Sequence, residues 1–431
     1  MRRALFVVSA ALALWLAPGA LASGWCGAGE TAIDRPDAVA GAQVHVIVAA
    51  PADGVDNFAA EANTVADDIA SMSAWWVGQD PTRVPRYDLA NFPGGTCLDI
   101  SYVRLPSPAS AYQGSSVAFG LLRSQLEAMG FFNFYKDYVV YYDGPAVSPD
   151  VCGTGQGTFD QGQGYAVVWL NGCASPPVPT DGIEAHELLH AFGALPAGAP
   201  NACTPATDPF KVFDPGHPCD SPSDVLYPVT DGRPLQDMVL DFNHDDYYGH
   251  SGTWPDIRNV IFLRHLDTPQ VPLTVSFSGS GAVASDLPGL ACTLACTTQW
   301  DQGTNVTLSA SPANGSRFVR WSGVCLSTAS CSLDLTQATS VTAVFAPATV
   351  AVRLLTTGKG KIVCSPACSK TVSAGAGLRL RAAPAQGWKF LHWSGTCTGT
   401  AIACSPHTDA AVTVRATFKK LPVHRPVKKK R

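Results

Sequence analysis

The sequence predicts an exported protein with an α/β domain followed by two small all-β modules. Hydrophobic residues make up 46% of the 431 residues and charged ones 15%, which is typical of a folded chain too long for a single core. Helical and strand patterns fill residues 42–265, and short alternating strands follow them. Six widely spaced cysteines precede residue 270 and eight closely paired ones follow it, which indicates a domain boundary.

Residues 1–22 have the features of a signal peptide. Arg2 and Arg3 precede an apolar stretch at residues 4–16, and small residues at Ala20 and Ala22 provide a cleavage site. We therefore expect a secreted chain that begins at Ser23, and no later stretch is apolar enough for a transmembrane helix. Cysteines in an exported chain predict disulfide bonds.

The charge pattern limits the partners. The net charge of −5 without a strongly basic face predicts that the protein does not bind nucleic acid. A basic tail, residues 420–431, ends on Lys428-Lys429-Lys430-Arg431. A solvated chain end and attachment to an anionic cell surface are both consistent with this tail.

The α/β domain, residues 23–268, is predicted to contain four strands and three helices. Runs of β-branched and aromatic residues predict the strands and amphipathic spacing predicts the helices. The strands are expected at residues 44–48, 97–105, 138–142 and 165–170, and the helices at 57–76, 115–129 and 181–190. Gly130 and Gly193 follow the last two helices, and Asp181 with Glu184 suggests a capping box that starts the third. A glycine-rich loop, residues 153–164, joins the last two strands.

The third helix carries the chemistry, in the sequence His186-Glu187-Leu188-Leu189-His190. Two histidines four residues apart lie on one helix face, where both rings can bind one tetrahedral Zn²⁺. The glutamate between them can take a proton from a zinc-bound water and return it to a leaving amine. The alternative is a helix with two surface histidines and an unrelated glutamate.

Two imidazoles need a third protein ligand to form a stable zinc site. Glu187 is the last glutamate in the sequence, which excludes the class of zinc peptidases that uses a downstream glutamate. The third ligand is therefore a histidine, an aspartate or a cysteine.

The pattern His186-Glu187-x-x-His190-x-x-Gly193 resembles the metzincin signature, in which the third ligand follows the glycine by three residues. Pro196 stands at that position and cannot bind metal. Residues 216–228 instead resemble a segment of secreted bacterial metzincin-like proteins, in which a displaced histidine or aspartate precedes a methionine-containing turn. This resemblance implies a metzincin-like catalytic domain.

The resemblance also implies roles for residues of this segment. Leu226 stands where those proteins have the methionine, which forms an apolar floor under the zinc. His217 is the first candidate for the third ligand, because a neutral imidazole suits Zn²⁺ and a Cys203–Cys219 disulfide would hold its loop. Asp220 is the second candidate, and further alternatives are Asp208 and Asp214.

Two more features carry alternatives. Tyr227 could donate to the oxyanion, as the resemblance implies, or it could be a core aromatic. The segment at residues 241–246 has alternating oxygen ligands suited to Ca²⁺, although a turn with solvated carboxylates explains it as well.

The region after Val271 consists of two tandem repeats, predicted as β-modules at residues 269–347 and 348–419. The sequence from Phe318 to Cys325 recurs from Phe390 to Cys397, and close cysteine pairs are expected to staple each small core. The Trp-Ser-Gly-x-Cys core resembles secreted bacterial repeats related to internalin-type B-repeats. That resemblance implies β-grasp-like modules that contact a cell surface or an extracellular polymer.

Together these observations predict a secreted zinc-dependent endopeptidase that acts on a protein or peptide substrate. The strand at residues 165–170 precedes the third helix and is the predicted edge to which an extended peptide would add. The alternative is a surface or adhesion protein with a degenerate metal helix, in which the repeats are the functional part.

Overall fold

The computed structural model describes residues 24–27, 29, 31–147, 151–157, 162–172, 178–194, 198–211, 216–229 and 231–422. Unit 1 comprises Met1–Gln270 with Leu287–Gly289, and unit 2 comprises Val271–Asp286 with Leu290–Arg431. The predicted signal peptide and most of the basic tail lie outside the described residues. Every helix within the described ranges is too short or too polar to cross a membrane.

The described residues of unit 1 form three α-helices and nine strands. The helices are α1 (Phe58–Gln79), α2 (Ser115–Ala128) and α3 (Thr180–Ala191). The strands are β1 (Gln43–Ala50), β2 (Arg83–Pro85), β3 (Leu89–Phe92), β4 (Gly95–Leu98), β5 (Ile100–Arg104), β6 (Lys136–Tyr142), β7 (Gly153–Gln156), β8 (Tyr165–Trp169) and β9 (Leu263–His265). The segment predicted as one strand at residues 97–105 divides into β4 and β5 at Asp99, whose carboxylate is turned to accept hydrogen bonds from Arg35.

A five-stranded sheet forms the centre of unit 1, in the order β5-β1-β6-β8-β7. The first four strands in this order are parallel, and β7 runs antiparallel to β8 at the edge. All residues of β1, β6 and β8 are buried, which is typical of parallel strands covered on both faces. The strand at residues 165–170 is therefore internal, and the prediction that it forms the edge is wrong.

Helices cover both faces of this sheet. Val44, Val46 and Val48 of β1 pack in one cluster with α1 and α3, whereas Ile47 and Ala49 pack in a second cluster with α2. This alternation follows from the pleat, which sends successive side chains to opposite faces. It leaves α3 with one side on the sheet and the other side turned away from it.

The start of α3 differs from the prediction. The helix begins at Thr180 after Pro179, and no side chain caps it. Asp181 lies in the first turn and accepts a hydrogen bond from the Ser71 hydroxyl at 2.6 Å. Glu184 is fully buried and accepts hydrogen bonds from two tyrosine hydroxyls of unit 1. The predicted capping box is absent because Glu184 faces the sheet, where it anchors α3.

An ion cluster joins the segment before β1 to the sheet. The ammonium of Lys136, which is 1% exposed, lies 2.6 Å from carboxylate oxygens of Asp34 and Asp88 and 2.5 Å from Asp37. His45 is buried beside them, with Nδ1 2.9 Å from Asp88. Burial lowers the pKa of His45, but the hydrogen bond to Asp88 and the nearby carboxylates outweigh burial and raise the pKa. His45 thus contributes to this buried ion cluster.

In the described part of unit 2, residues 271–286 and 290–422, all secondary-structure elements are strands of β-sheets. The first module contains β10 (Gln270–Ser278), β11 (Gly281–Ser285), β12 (Ala291–Cys292), β13 (Cys296–Asp301), β14 (Thr304–Pro312), β15 (Ser316–Gly323), β16 (Cys331–Leu335) and β17 (Thr339–Pro347). The second contains β18 (Thr349–Thr357), β19 (Gly360–Ser365), β20 (Thr371–Ser373), β21 (Arg379–Pro384), β22 (Trp388–Gly395), β23 (Ala403–Cys404) and β24 (Val412–Lys420).

Each module is built from two small sheets. In the first module these are β13-β10-β17-β15 and β12-β11-β14-β16, and in the second β20-β18-β24-β22 and β19-β21-β23. The first strand of each module pairs in parallel with its last strand. The all-β prediction is confirmed. The β-grasp-like arrangement is not formed, because the described part of each module has no helix for a sheet to enclose.

The repeated Trp-Ser-Gly-x-Cys sequence has a structural explanation. Trp321 and Trp393 fill the two cores, and each indole N–H donates 2.8 Å to a carbonyl eight residues later. Gly323 has a φ of 103°, and a Cβ there would lie 2.8 Å from the Ser340 carbonyl oxygen. Disulfide bonds within the modules, as predicted, are Cys292–Cys296, Cys325–Cys331, Cys364–Cys368 and Cys397–Cys404.

The ion cluster around Lys136 gives a stability prediction. Replacing Lys136→Met leaves the buried Asp88 and two partly buried carboxylates without their cation, so we expect the free energy of unfolding to fall by about 3–5 kcal/mol. The matched control is Arg233→Met, which removes a partly exposed pair with Asp231 and should change stability by less than about 1 kcal/mol. Chemical denaturation of both variants measures the difference, and equal effects would contradict a buried role for Lys136.

Candidate metal centre

Helix α3 carries two histidines whose rings lie side by side. The Nε2 atoms of His186 and His190 are 3.2 Å apart, as expected for side chains one turn apart on one face. The helix ends at Ala191, and Gly193 follows with a φ of +80°, a backbone conformation that suits glycine at a helix C-terminus. The chain thereby turns away from α3 directly after its second histidine.

His217 completes a triangle with these two side chains. Its Nε2 lies 3.2 Å from the Nε2 of His186 and 3.2 Å from that of His190. Its backbone carbonyl accepts a hydrogen bond from the Cys203 N–H at 2.8 Å, and a disulfide joins Cys203 to Cys219. This covalent clasp, Cys203–Cys219, holds the loop that brings His217 to the helix.

The hydrogen bond of His186 determines which of its two ring nitrogens carries the proton. Its Nδ1 lies 2.7 Å from the Val225 carbonyl oxygen, which can only accept, so Nδ1 carries the proton. In the neutral ring the lone pair is then on Nε2. Burial lowers the pKa of His190 far below its ordinary value, and His186 and His217 lower it further. The His190 ring is therefore neutral and can offer a nitrogen lone pair.

The triangle has the size of a metal site. Three nitrogens bound to one tetrahedral zinc at about 2.0–2.1 Å lie about 3.3 Å from one another. The observed separations of 3.2 Å match this value. The three histidines together form one of the potential metal-binding groups of the described residues. Such a set leaves a fourth tetrahedral position for a non-protein ligand.

Glu187 follows His186 on α3 and is 7% exposed. Burial raises the pKa of its carboxyl to about 8, although a hydrogen bond from the Gly155 N–H opposes that shift. A group with this pKa both accepts and releases protons near neutral pH.

Strand β7 packs directly against α3 at Glu187 and His190. A Cβ on Gly155 would be 2.4 Å from the Glu187 carbonyl oxygen and 2.7 Å from the His190 Cβ. A Cβ on Gly157 would be 1.7 Å from the Ala191 carbonyl oxygen. Only glycine permits this backbone contact. The sequence predicts a loop here, and the structure has a strand. Glycine at alternate positions 153, 155 and 157 is the sequence signal for a strand whose one face packs closely against another element.

The turn at residues 224–227 supports the site from the side of His186. Leu226 is fully buried in the core of unit 1, next to the Val225 carbonyl that contacts His186. Tyr227 is half-buried, and its hydroxyl makes no hydrogen bond within the described residues. Its catalytic role therefore stays a prediction.

Asp220 is not brought to the histidines. It is exposed and groups with Asp245 and Asp246, whose carboxylate oxygens lie within 4.8 Å of its own. No aspartate or glutamate of the described residues has an oxygen within that distance of all three imidazoles. The prediction of Asp220 as a ligand of this centre is thus wrong, because its side chain points to a different cluster. Pro196 and Asp214 lie outside the described residues.

Within the segment at residues 241–246, Asp241 serves the backbone of a turn, while Asp245 and Asp246 group with Asp220. The Asp241 carboxylate accepts hydrogen bonds from the N–H groups of Asp246, Tyr247 and Tyr248. Asp241, Asn243 and His244 all have a positive φ, between 54° and 69°. The Asp241 carboxylate is therefore used to build a tight turn, and Ca²⁺ binding by the segment stays a prediction.

Comparisons with known proteins concern unit 2. Residues 273–349 and 350–422 each match the family described as Divergent InlB B-repeat domain. These residues are thus two copies of this repeat, in agreement with the resemblance drawn from the sequence. No curated protein matches the chain.

Solved structures of streptococcal pilins give weak matches. The minor pilin GBS52 of Streptococcus agalactiae is 10% identical with a TM-score of 0.15, and the match covers 37% of this chain and all of the pilin. The major pilin of Streptococcus pyogenes is 7% identical with a TM-score of 0.19, covering 36% of this chain and 99% of the pilin. TM-scores this low do not indicate a shared fold.

The contact between β7 and α3 can be tested with an added methyl group. We expect Gly155→Ala to lower the free energy of unfolding by about 1–3 kcal/mol, because its Cβ would displace the strand from Glu187 and His190. Gly120→Ala is the control, since an added Cβ on that exposed α2 residue meets nothing and should stabilise by about 0.5–1 kcal/mol. Denaturation curves that shift equally for both variants would contradict the close contact.

The clasp has a separate prediction. Replacing both Cys203 and Cys219 by serine should lower the free energy of unfolding by about 3 kcal/mol and weaken Zn²⁺ binding, because the loop of His217 loses its covalent restraint. The double serine variant of Cys292 and Cys296 removes a disulfide bond in unit 2, whose sequence separation is 4, and should leave Zn²⁺ affinity unchanged. Titration with Zn²⁺ measures both, and equal affinities in the two variants would show that the clasp does not position His217.

Proposed function

We propose that unit 1 is a zinc-dependent endopeptidase of the metzincin-like type. The observation that supports it is the triangle of Nε2 atoms from His186, His190 and His217, with Glu187 on the same helix turn. This combination of three imidazoles and an adjacent buried carboxyl fits a hydrolytic zinc site better than a structural one, since structural sites use four protein ligands.

The donor set fits Zn²⁺ by its chemistry as well as its size. Neutral imidazole nitrogens suit zinc, and no carboxylate of the described residues enlarges the set towards the oxygen-rich coordination of Ca²⁺ or Mg²⁺. When bound, zinc supplies a Lewis acid that polarises a carbonyl and acidifies a water molecule. The three histidines would hold the ion through Nε2.

Glu187 performs the proton transfers in this proposal. Its carboxylate accepts a proton from the attacking water and then donates that proton to the nitrogen of the departing amine. Burial raises the pKa of this carboxyl above its ordinary value. The Gly155 N–H donates a hydrogen bond to the carboxylate and restrains it beside β7.

Strand β7 provides a place for an extended peptide. It pairs with β8 on one side and is the outermost strand of the five-stranded sheet in the described residues. A substrate that adds to its outer edge would lie beside α3 and thus beside Glu187. The proposed substrate is therefore an extended segment of a protein or peptide, bound mainly through its backbone.

The turn at residues 224–227 agrees with the metzincin-like proposal. Leucine at position 226 provides an apolar, fully buried side chain where related enzymes have methionine. A polarizable sulfur is not needed for packing, because leucine and methionine have similar volumes. His217 precedes this turn and takes the place of the ligand that Pro196 cannot supply.

We also propose that the protein acts outside the cytoplasm. All cysteines of the described residues are disulfide-bonded, and such bonds form and persist in oxidising compartments. The two Divergent InlB B-repeat domains would then contact a cell surface or an extracellular polymer.

A second candidate function rests on those repeats. The protein could act as a surface or adhesion protein in which the metal helix has lost catalysis, and the family match of unit 2 favours a role for the repeats in contact with other molecules. Unit 2 also exposes large apolar side chains, with Leu294 79% and Leu326 78% exposed. Retained binding to a surface after loss of zinc would favour this candidate.

Glu187→Gln separates metal binding from catalysis. We expect this variant to keep one Zn²⁺ per chain, because it retains all three imidazoles, while peptide hydrolysis falls by about 10²- to 10⁴-fold through loss of the general base. Zinc content by mass spectrometry and cleavage of an unfolded protein substrate are the two measurements. Hydrolysis at the wild-type rate would rule out the proposed mechanism.

His217→Ala provides the complementary test. Loss of the third ligand should abolish both bound zinc and hydrolysis, whereas His392→Ala, which changes an exposed histidine of unit 2, should change neither. If His217→Ala retained stoichiometric zinc, His217 would not be the third ligand.

A further inference from the structure

The turn beside His186 is held by one buried carboxylate. Asp224 is 3% exposed, and its Oδ1 accepts hydrogen bonds from the Leu226 N–H at 2.7 Å and the Tyr247 hydroxyl at 2.8 Å. Its Oδ2 accepts the Phe242 N–H at 2.8 Å. Three donors converge on this side chain, so the backbone between Asp224 and Leu226 has little freedom.

That backbone includes the carbonyl that selects the protonated nitrogen of His186. Val225 stands between Asp224 and Leu226, and its oxygen lies 2.7 Å from the His186 Nδ1. The Val225 N–H donates to the Val239 carbonyl at 3.0 Å, which fixes the other side of this peptide. Rotation of the turn would withdraw the Val225 carbonyl from the Nδ1 proton.

A second layer supports Asp224. The Tyr247 hydroxyl donates to Asp224 and accepts the Asp241 N–H at 2.9 Å, and Tyr247 is fully buried. The Asp241 carboxylate accepts the N–H groups of residues 246, 247 and 248. The acidic segment that the sequence suggested for calcium is thus connected by hydrogen bonds to the turn beside the candidate metal centre.

We propose that Asp224 is a positioning residue for the metal centre and that Tyr247 holds it in place. Asp224 fixes the Val225 carbonyl, this carbonyl keeps the proton of His186 on Nδ1, and the Nε2 lone pair therefore faces His190 and His217. This inference rests on the proposed function for its consequence in zinc binding. Outer partners of metal-binding histidines act in this way, by fixing the tautomer and ring orientation.

Asp224→Asn tests the positioning role with minimal change in shape. The amide replaces one acceptor oxygen by an NH₂ group, which cannot accept from the N–H groups that converge there. We expect nitrogen-15 NMR of the metal-free variant to show His186 as a mixture of both tautomers instead of the Nδ1–H form. Zinc affinity should be about 10- to 100-fold weaker than in the wild type.

Tyr247→Phe is the second variant, and it tests the same positioning role if Asp224→Asn does not fold. It removes one hydrogen bond to Asp224 and should weaken zinc binding in the same direction, with a smaller change of the His186 tautomer. Tyr248→Phe is the matched control. Tyr248 is equally buried, but its hydroxyl donates to Asp80, so its loss should lower stability without changing the tautomer or zinc affinity.

The outcomes separate this inference from the proposed function. An unchanged His186 tautomer in both Asp224→Asn and Tyr247→Phe, or equal effects of Tyr247→Phe and Tyr248→Phe, would overturn the positioning role. A wild-type chain that binds no zinc would contradict the proposed enzyme, while the tautomer comparison in metal-free protein would still decide the role of Asp224.

Discussion

The site depends on three imidazole nitrogens that point at one another. Lone pairs of neutral rings separated by 3.2 Å repel, and protonation of any ring would place a charge in a buried site. A divalent cation at the centre would remove both penalties. In the metal-free protein, the fold has to hold these rings in place against their own repulsion.

Three parts of unit 1 supply this restraint. Helix α3 fixes His186 and His190 at one-turn spacing, and its other face is anchored to the sheet through the buried Glu184. The clasp Cys203–Cys219 holds the loop of His217. The turn at residues 224–227 orients the His186 ring through the Val225 carbonyl. Each restraint comes from a different segment, so the candidate metal centre depends on tertiary contacts between distant parts of unit 1.

Local patterns in the sequence were sufficient for the helices, the main strands, the His-Glu-x-x-His face of α3 and the repeat modules. These features depend on side-chain periodicity within a few residues, and the sequence records it directly. Contacts between distant segments determine the strand order and the edge position of β7. They also determine that His217, and not Asp220, lies beside the two histidines of α3. Two signals for these contacts are present in the sequence. The cysteine pair around residue 217 predicts the disulfide that is observed, whereas the alternating glycines at 153, 155 and 157 indicate a strand where a loop is expected.

The acidic residues show the limit of pattern reasoning most clearly. Alternating oxygens at residues 241–246 resemble ion ligands, but the structure uses Asp241 to accept three backbone N–H groups. Likewise Glu184 has the spacing of a capping box, yet it lies in the core with two tyrosine hydroxyls. Buried polar groups need hydrogen-bond partners, and in both places this need determines the role of the carboxylate.

X-ray absorption spectroscopy at the zinc edge of the purified mature chain tests the central proposal most directly. We predict one zinc per chain, coordinated by three imidazole nitrogens at about 2.0–2.1 Å and one additional oxygen. A spectrum with sulfur or only oxygen neighbours, or a chain that takes up no zinc, would contradict a metal centre formed by His186, His190 and His217.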